Sequence, residues 1–197
     1  MSASAPLIGP RPVLADLVPR TAVRTVALVL GAALLTAAAS RWLKIPLPFS
    51  PVPITGGTFA VLLTGAALGP ARGAAGQLTY VALGAVGLPF FSTGSGLEFL
   101  AGASGGYVLG FIPAAALVGA CARRGWDRRP LGMVGTFALG SAVIYACGVP
   151  WLAVVGGFGP GEAVLRGLAP FLLGDALKAV AAAAALPSAW RLVGPRS

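Results

Sequence analysis

Histidine is absent from the 197 residues. That removes the side chain most often used as a general base, proton shuttle or metal ligand near neutral pH. Cysteine is almost as scarce: Cys121 and Cys147 stand singly inside apolar runs, without metal-type spacing or a disulfide framework. Both read as lipid-buried packing residues, and no metal or cofactor is expected. No Gly-x-x-x-x-Gly-Lys-Ser/Thr stretch occurs, and Lys44 and Lys178 sit in no phosphate-cradling loop, so the chain does not hydrolyse ATP alone. Its serines and threonines lack a partner base. The residues therefore point away from an enzyme.

Charge is scarce too, at 10% of residues against about 25% in soluble domains, whereas apolar residues reach 57% and mean hydropathy is +0.88. Stretches of 15 to 20 residues carry no charge at all. A soluble fold of this length could not cover so much apolar surface, so the sequence predicts an all-α integral membrane protein in a lipid bilayer. The net charge of +9 would suggest nucleic acid in a soluble chain, but the basic residues lie between the hydrophobic runs instead of forming one stripe. Nucleic acid is excluded on that distribution, and orientation by basic loops explains the excess.

Residues 1–21 lack the apolar core and cleavage pattern of a signal peptide and read as a cytoplasmic tail. A membrane domain is expected over 22–192 and a short cytoplasmic tail over 193–197. The first span is Val23 to Leu43, long enough for about 30 Å of hydrocarbon. Prolines 46, 48, 51 and 53 make the next segment irregular and partly extended. Two short runs follow, 54–68 and 73–88, as a pair of crossings or a re-entrant pair. A loop over 89–104, a span at 105–121, a basic turn at 123–130, a span at 131–147, a loop over 148–169 and a last span from Pro170 to Trp190 complete six helices. With both termini inside, ten of the 14 Lys and Arg fall on the cytoplasmic side, and the three long loops gather on the outer face.

Asp175 and Lys178, three apart on the last span, share one helix face. Ionisable groups inside a span default to a ligand or ion pathway. The simpler alternative is a neutralising pair beside Gly174, which allows close helix packing. A helix starting near Ala169 puts Asp175 about 9 Å and Lys178 about 13 Å below its outer end. Tyr80, Tyr107, Tyr145 and Trp151 either stack on a flat ligand or anchor at the interface. Small residues four apart, Ala27 with Gly31, Ala33 with Ala37, Gly65 with Gly69 and Gly106 with Gly110, suit internal packing or partner docking.

The run Pro51-Val-Pro-Ile-Thr55, then Thr58-Phe-Ala-Val-Leu-Leu and Leu68-Gly-Pro, resembles the BioY family, the biotin-specific S components of energy-coupling factor (ECF) transporters. The likeness continues through Leu83-Gly-Ala-Val-Gly-Leu-Pro89, Gly105-Gly-Tyr-Val-Leu-Gly-Phe111, Ile144-Tyr145 with Trp151, and Pro170-Phe-Leu-Leu-Gly-Asp175-Ala-Leu-Lys178. Gly57 stands where that family has glutamine, and Ala103 where it has proline. The resemblance implies the six-helix ECF S-component fold, high-affinity biotin binding under the outer loops and uptake across a bacterial plasma membrane. It also implies a membrane T component and two cytoplasmic ATPases as partners, or self-oligomers, with Ala33 and Ala37 as docking residues. In the ligand site Asp175 would accept ureido N–H groups and Lys178 would donate, with Thr93, Tyr80, Tyr107 and Tyr145 on the wall. The alternatives are an S component for another vitamin and a small ion-coupled transporter in which Asp175 relays a proton.

Overall fold

A computed structural model describes residues 11–19 and 21–193. Thr21, in extended conformation, accepts the Arg24 amide at 3.2 Å and starts α1 (Ala22–Trp42). Strands β1 (Lys44–Leu47) and β2 (Ser50–Thr55) follow as an antiparallel hairpin, with Lys44 opposite Thr55 and Leu47 opposite Ser50. The prolines exclude helix here, as expected. They still permit a two-stranded ribbon, because each strand has a free edge where a missing N–H costs nothing; the register shifts between Ile45 and Leu47, around Pro46.

Helix α2 (Gly57–Leu68) breaks at Gly69, whose φ of +83° suits glycine, and α3 (Pro70–Ala85) begins at once. The five-residue turn expected at 69–73 thus shrinks to one residue, and Arg72 lies in the first turn of α3. Gly69 packs beside Val13 and Arg123 at one end of the bundle, while Thr58 of α2 and Tyr80 of α3 line a cavity at the other. The two helices therefore run between the two ends of the bundle. At 1.5 Å per residue they are about 18 and 24 Å long.

Short helix α4 (Gly96–Ala101) occupies part of the expected 89–104 loop, and α5 (Gly105–Ala122) packs against α2, α3 and α6. Helix α6 (Pro130–Gly156) does not stop at Cys147. It passes through Pro150 and ends at Gly157, because residues 151–156 remain apolar and only one backbone hydrogen bond is lost at the proline. Within the expected 148–169 loop lies α7 (Pro160–Gly167). A 3₁₀ turn at Ala169–Phe171 takes up Pro170, so α8 (Leu172–Val193) starts two residues later than expected. Asp175 is then about 4.5 Å and Lys178 about 9 Å from its start.

Among the described residues, four stretches are long and apolar enough to cross a membrane: α1, α5, α6 and the continuous run Pro160–Val193. Large apolar side chains point outward along them, including Val26, Leu30 and Leu34 on α1 and Leu173, Leu177 and Val180 on α8. Such a belt is stable only against lipid. Inside, small residues set helix distance. A Cβ on Gly65 would lie 2.8 Å from the Ala115 carbonyl, and one on Gly106 would lie 2.7 Å from that of Cys147. These pairs therefore serve internal packing. Ala33 and Ala37 are buried as well, at 0% and 7% exposed. Cys121 is buried and Cys147 half-buried, and both are free thiols.

The N-terminal segment is more than a loose tail from residue 11 on. Val13 and Ala15 are buried, and Asp16 pairs with both Arg72 and Arg123. The first ten residues of the expected tail, Arg20 and the C-terminal residues 194–197 lie outside the described residues.

Candidate ligand-binding site

At one end of the bundle, a cavity of about 60 Å³ lies beneath the hairpin, the 88–95 connection and α4. Its walls come from the last turn of α1, the start of α2, the first two turns of α5 and α8, the C-terminal half of α3 and the middle of α6. Phe99, Phe111, Ile144 and Phe171 make much of the surface apolar.

The polar groups converge on Asp175. Tyr145 donates to its Oδ2 at 2.6 Å, and Lys178 donates to its Oδ1 at 3.2 Å. Lys178 also donates to the Thr58 hydroxyl at 2.7 Å. The side chains of Lys178 and Asp175 are only 16% and 12% exposed. This is more than mutual neutralisation, because the pair borders an open cavity. Each carboxylate oxygen keeps a further lone pair, and the ammonium keeps a third N–H. The site thus presents two acceptors and a cationic donor within an aromatic wall, suited to a flat polar group carrying both N–H donors and a carbonyl.

The other expected site residues divide. Tyr80 lines the cavity but is 1% exposed, its hydroxyl 3.4 Å from Ser40 and its ring edge-on to Phe91 at 5.5 Å. Tyr107 lines it too, and donates to the Gly167 carbonyl at 2.8 Å. Thr93 is exposed and absent from the wall; its neighbour Ser92 is the lining residue. That connection has no regular period, so nothing in the sequence fixes which of the two turns inward. Trp151 does not line the cavity, and its indole N–H donates to the Gly102 carbonyl at 3.0 Å. Thr58, Ser40 and Thr55 were not anticipated. The signal for Thr58 was a polar residue in the first turn of an otherwise apolar helix.

Gly57 has a physical reason. A Cβ there would lie 2.3 Å from the Ser40 hydroxyl, so the absent side chain lets α2 start directly against α1 at the rim of the cavity. The roof is tied together as well. Ser50 of β2 donates to the Arg166 carbonyl at 2.7 Å, and Arg166 donates to the Phe49 carbonyl at 3.3 Å, pairs with Glu162 at 2.8 Å and covers the Phe158 ring. Lys44 donates to the Ser92 carbonyl at 2.9 Å.

Residues 12–195 match the BioY family. The biotin transporter BioY of Rhizobium etli is 37% identical over 71% of this chain and 78% of its own length. That of Thermotoga maritima is 38% identical over 72% and 82%. The chain belongs to the BioY family. A probable biotin transporter BioY from Pyrococcus horikoshii is 37% identical over 76% of this chain and 88% of its own. A crystal structure of the S-component for biotin from an ECF-type ABC transporter has the same fold, with a TM-score of 0.75 at 22% identity over 88% of this chain and 95% of that one. In this BioY chain the matched region includes both the hairpin roof and the Asp175–Lys178 face.

Proposed function

We propose that the chain is the biotin-binding S component of an ECF-type transporter and mediates biotin uptake, with ATP hydrolysis supplied by partner subunits. The observation that carries this reading is the Tyr145–Asp175–Lys178–Thr58 cluster on the wall of a roofed, largely apolar cavity in a BioY-family chain. Biotin offers a ureido ring with two N–H donors and one carbonyl, an apolar thiophane ring and a carboxylate tail. Asp175 accepts the ureido N–H groups, Lys178 donates to the ring carbonyl or the tail, and the Tyr107 and Phe171 rings flank the apolar part. Six helices cross the membrane, α1, α2, α3, α5, α6 and α8, with both termini cytoplasmic, the cavity outside, and the bacterial plasma membrane as the setting. A membrane T component and two cytoplasmic ATPases supply the energy.

Calorimetric titration of biotin into the detergent-purified chain tests the reading. Lys178→Ala and Asp175→Asn each remove a charge-assisted hydrogen bond worth about 1.5–3 kcal/mol, so binding is expected to weaken by about tenfold to a hundredfold or more. Undiminished binding in both variants overturns the site. No binding by the native chain overturns biotin, and competition among other vitamins then names the ligand.

A further inference from the structure

The end of the bundle opposite the cavity carries a second concavity, in the connection between α5 and α6. About 970 Å³ of space there is bordered by Arg11, Arg124, Arg129, Trp126 and Leu131, over a floor of Gly125, Gly132 and Gly135. The three guanidinium groups differ from their neighbours. Arg72 and Arg123 share the Asp16 carboxylate, and Arg128 lies over the Trp190 ring at 4.3 Å, but among the described residues no carboxylate pairs with Arg11, Arg124 or Arg129. Arg11 is held there by its backbone, whose N–H donates to the Arg123 carbonyl at 2.9 Å. Its side chain lies over Gly125, where a Cβ would come 2.5 Å from Nη1.

Two further features select the kind of anion. Helix α6 starts at this concavity with Pro130 in its first turn and no side-chain cap from Arg129, so its positive end is open to a ligand. The rim is apolar: Trp126 is 42% and Leu131 87% exposed, and nothing lies within 4 Å of a Cβ on Gly135 one turn further along. A phosphate held by arginines beside an indole, with an open apolar groove running down a membrane helix, matches an anionic phospholipid better than a soluble ion.

We infer that this concavity binds the headgroup phosphate of one anionic phospholipid, with an acyl chain lying along α6 past Leu131 and Gly135. The site is separate from the biotin reading, since it shares no residue with the cavity.

Native mass spectrometry of the full chain in micelles containing equal phosphatidylglycerol and phosphatidylcholine tests it. One phosphatidylglycerol retained per chain, in preference to phosphatidylcholine, is the expected result. Each basic residue near an anionic lipid contributes about fivefold, so Arg124→Gln with Arg129→Gln is expected to cut that preference roughly twenty-five-fold. Arg11→Gln, expected to cut it about fivefold, serves if the double variant fails to fold by circular dichroism. An equal preference in the folded variants, or none in the native chain, overturns the proposal. So does displacement of the lipid by millimolar inorganic phosphate, which would make this a site for free phosphate.

Discussion

The carboxylate of Asp175 is held from two sides, by the Tyr145 hydroxyl and the Lys178 ammonium. Neither side chain can turn away without leaving a buried charge short of partners, so the acceptor atoms facing the cavity are fixed before any ligand arrives. A second buried aspartate behaves differently. Asp127, 0% exposed in the connection after α5, has its carboxyl pushed above the usual range by burial, against the opposing pull of the Trp190 N–H at 2.6 Å and the Arg128 charge. A carboxyl raised in the folded state favours folding below the ordinary aspartate range, and that contribution is lost as pH rises through the raised value. Asp127→Asn keeps an acceptor for Trp190 and removes the titration. Melting curves collected from acid to neutral pH should therefore show the native chain losing stability relative to the variant as pH increases. Among single residues, Asp175 and Lys178 were legible in the sequence because charge inside an apolar span stands out. Ser40 and Thr58 were not, since one hydroxyl near a helix end is compatible with solvent, a backbone carbonyl or a ligand.

At the scale of elements, the spans were readable because lipid imposes length and hydropathy together. Their ends were less so. Pro150 resembles a stop, yet the apolar residues after it carry α6 on to Gly156. The roof was the hardest part to read. Hairpin, α4 and α7 are short and proline- or glycine-rich, and each takes its shape from contacts with the others more than from its own periodicity. Arg166 is the clearest case, joining α7 to the hairpin turn through the Phe49 carbonyl while pairing with Glu162. Because this ion pair is exposed, its loss should barely change melting temperature. Arg166→Ala is nevertheless expected to speed biotin release several-fold by loosening the roof, with the association rate little changed. Displacement kinetics with labelled biotin measures this directly, and an unchanged release rate would mean the roof closes without that tie.

For the molecule as a whole, charge and shape agree. The cavity end carries Arg41, Lys44 and Arg166, while the opposite end carries Arg11, Arg24, Arg72, Arg123, Arg124, Arg128, Arg129 and Arg191. Basic residues are retained on the cytoplasmic side, so the cavity is expected to open outward. In a cysteine-free background, Leu165→Cys on α7 should react with a membrane-impermeant maleimide in intact cells, and Arg124→Cys only after permeabilisation. The reverse pattern would invert the topology. The sense of insertion expected from the sequence depends on a count of loops, which survives errors of a few residues at helix ends.

The strap formed by residues 11–17 bears on how such a chain is made. Its partners arrive late: Asp16 waits for Arg72 and Arg123, the Arg11 amide for the Arg123 carbonyl, and the Pro12 carbonyl for Arg128. During synthesis this segment precedes those partners: Arg24 of α1 and Arg72 of α3 can reach it early, but the ties to Arg123 and Arg128 form only once α5 and the connection after it have been made. Its full closure is therefore a record that α5 is in place, and a chain stalled before α5 would lack the contacts that Arg123 and Arg128 make with this segment.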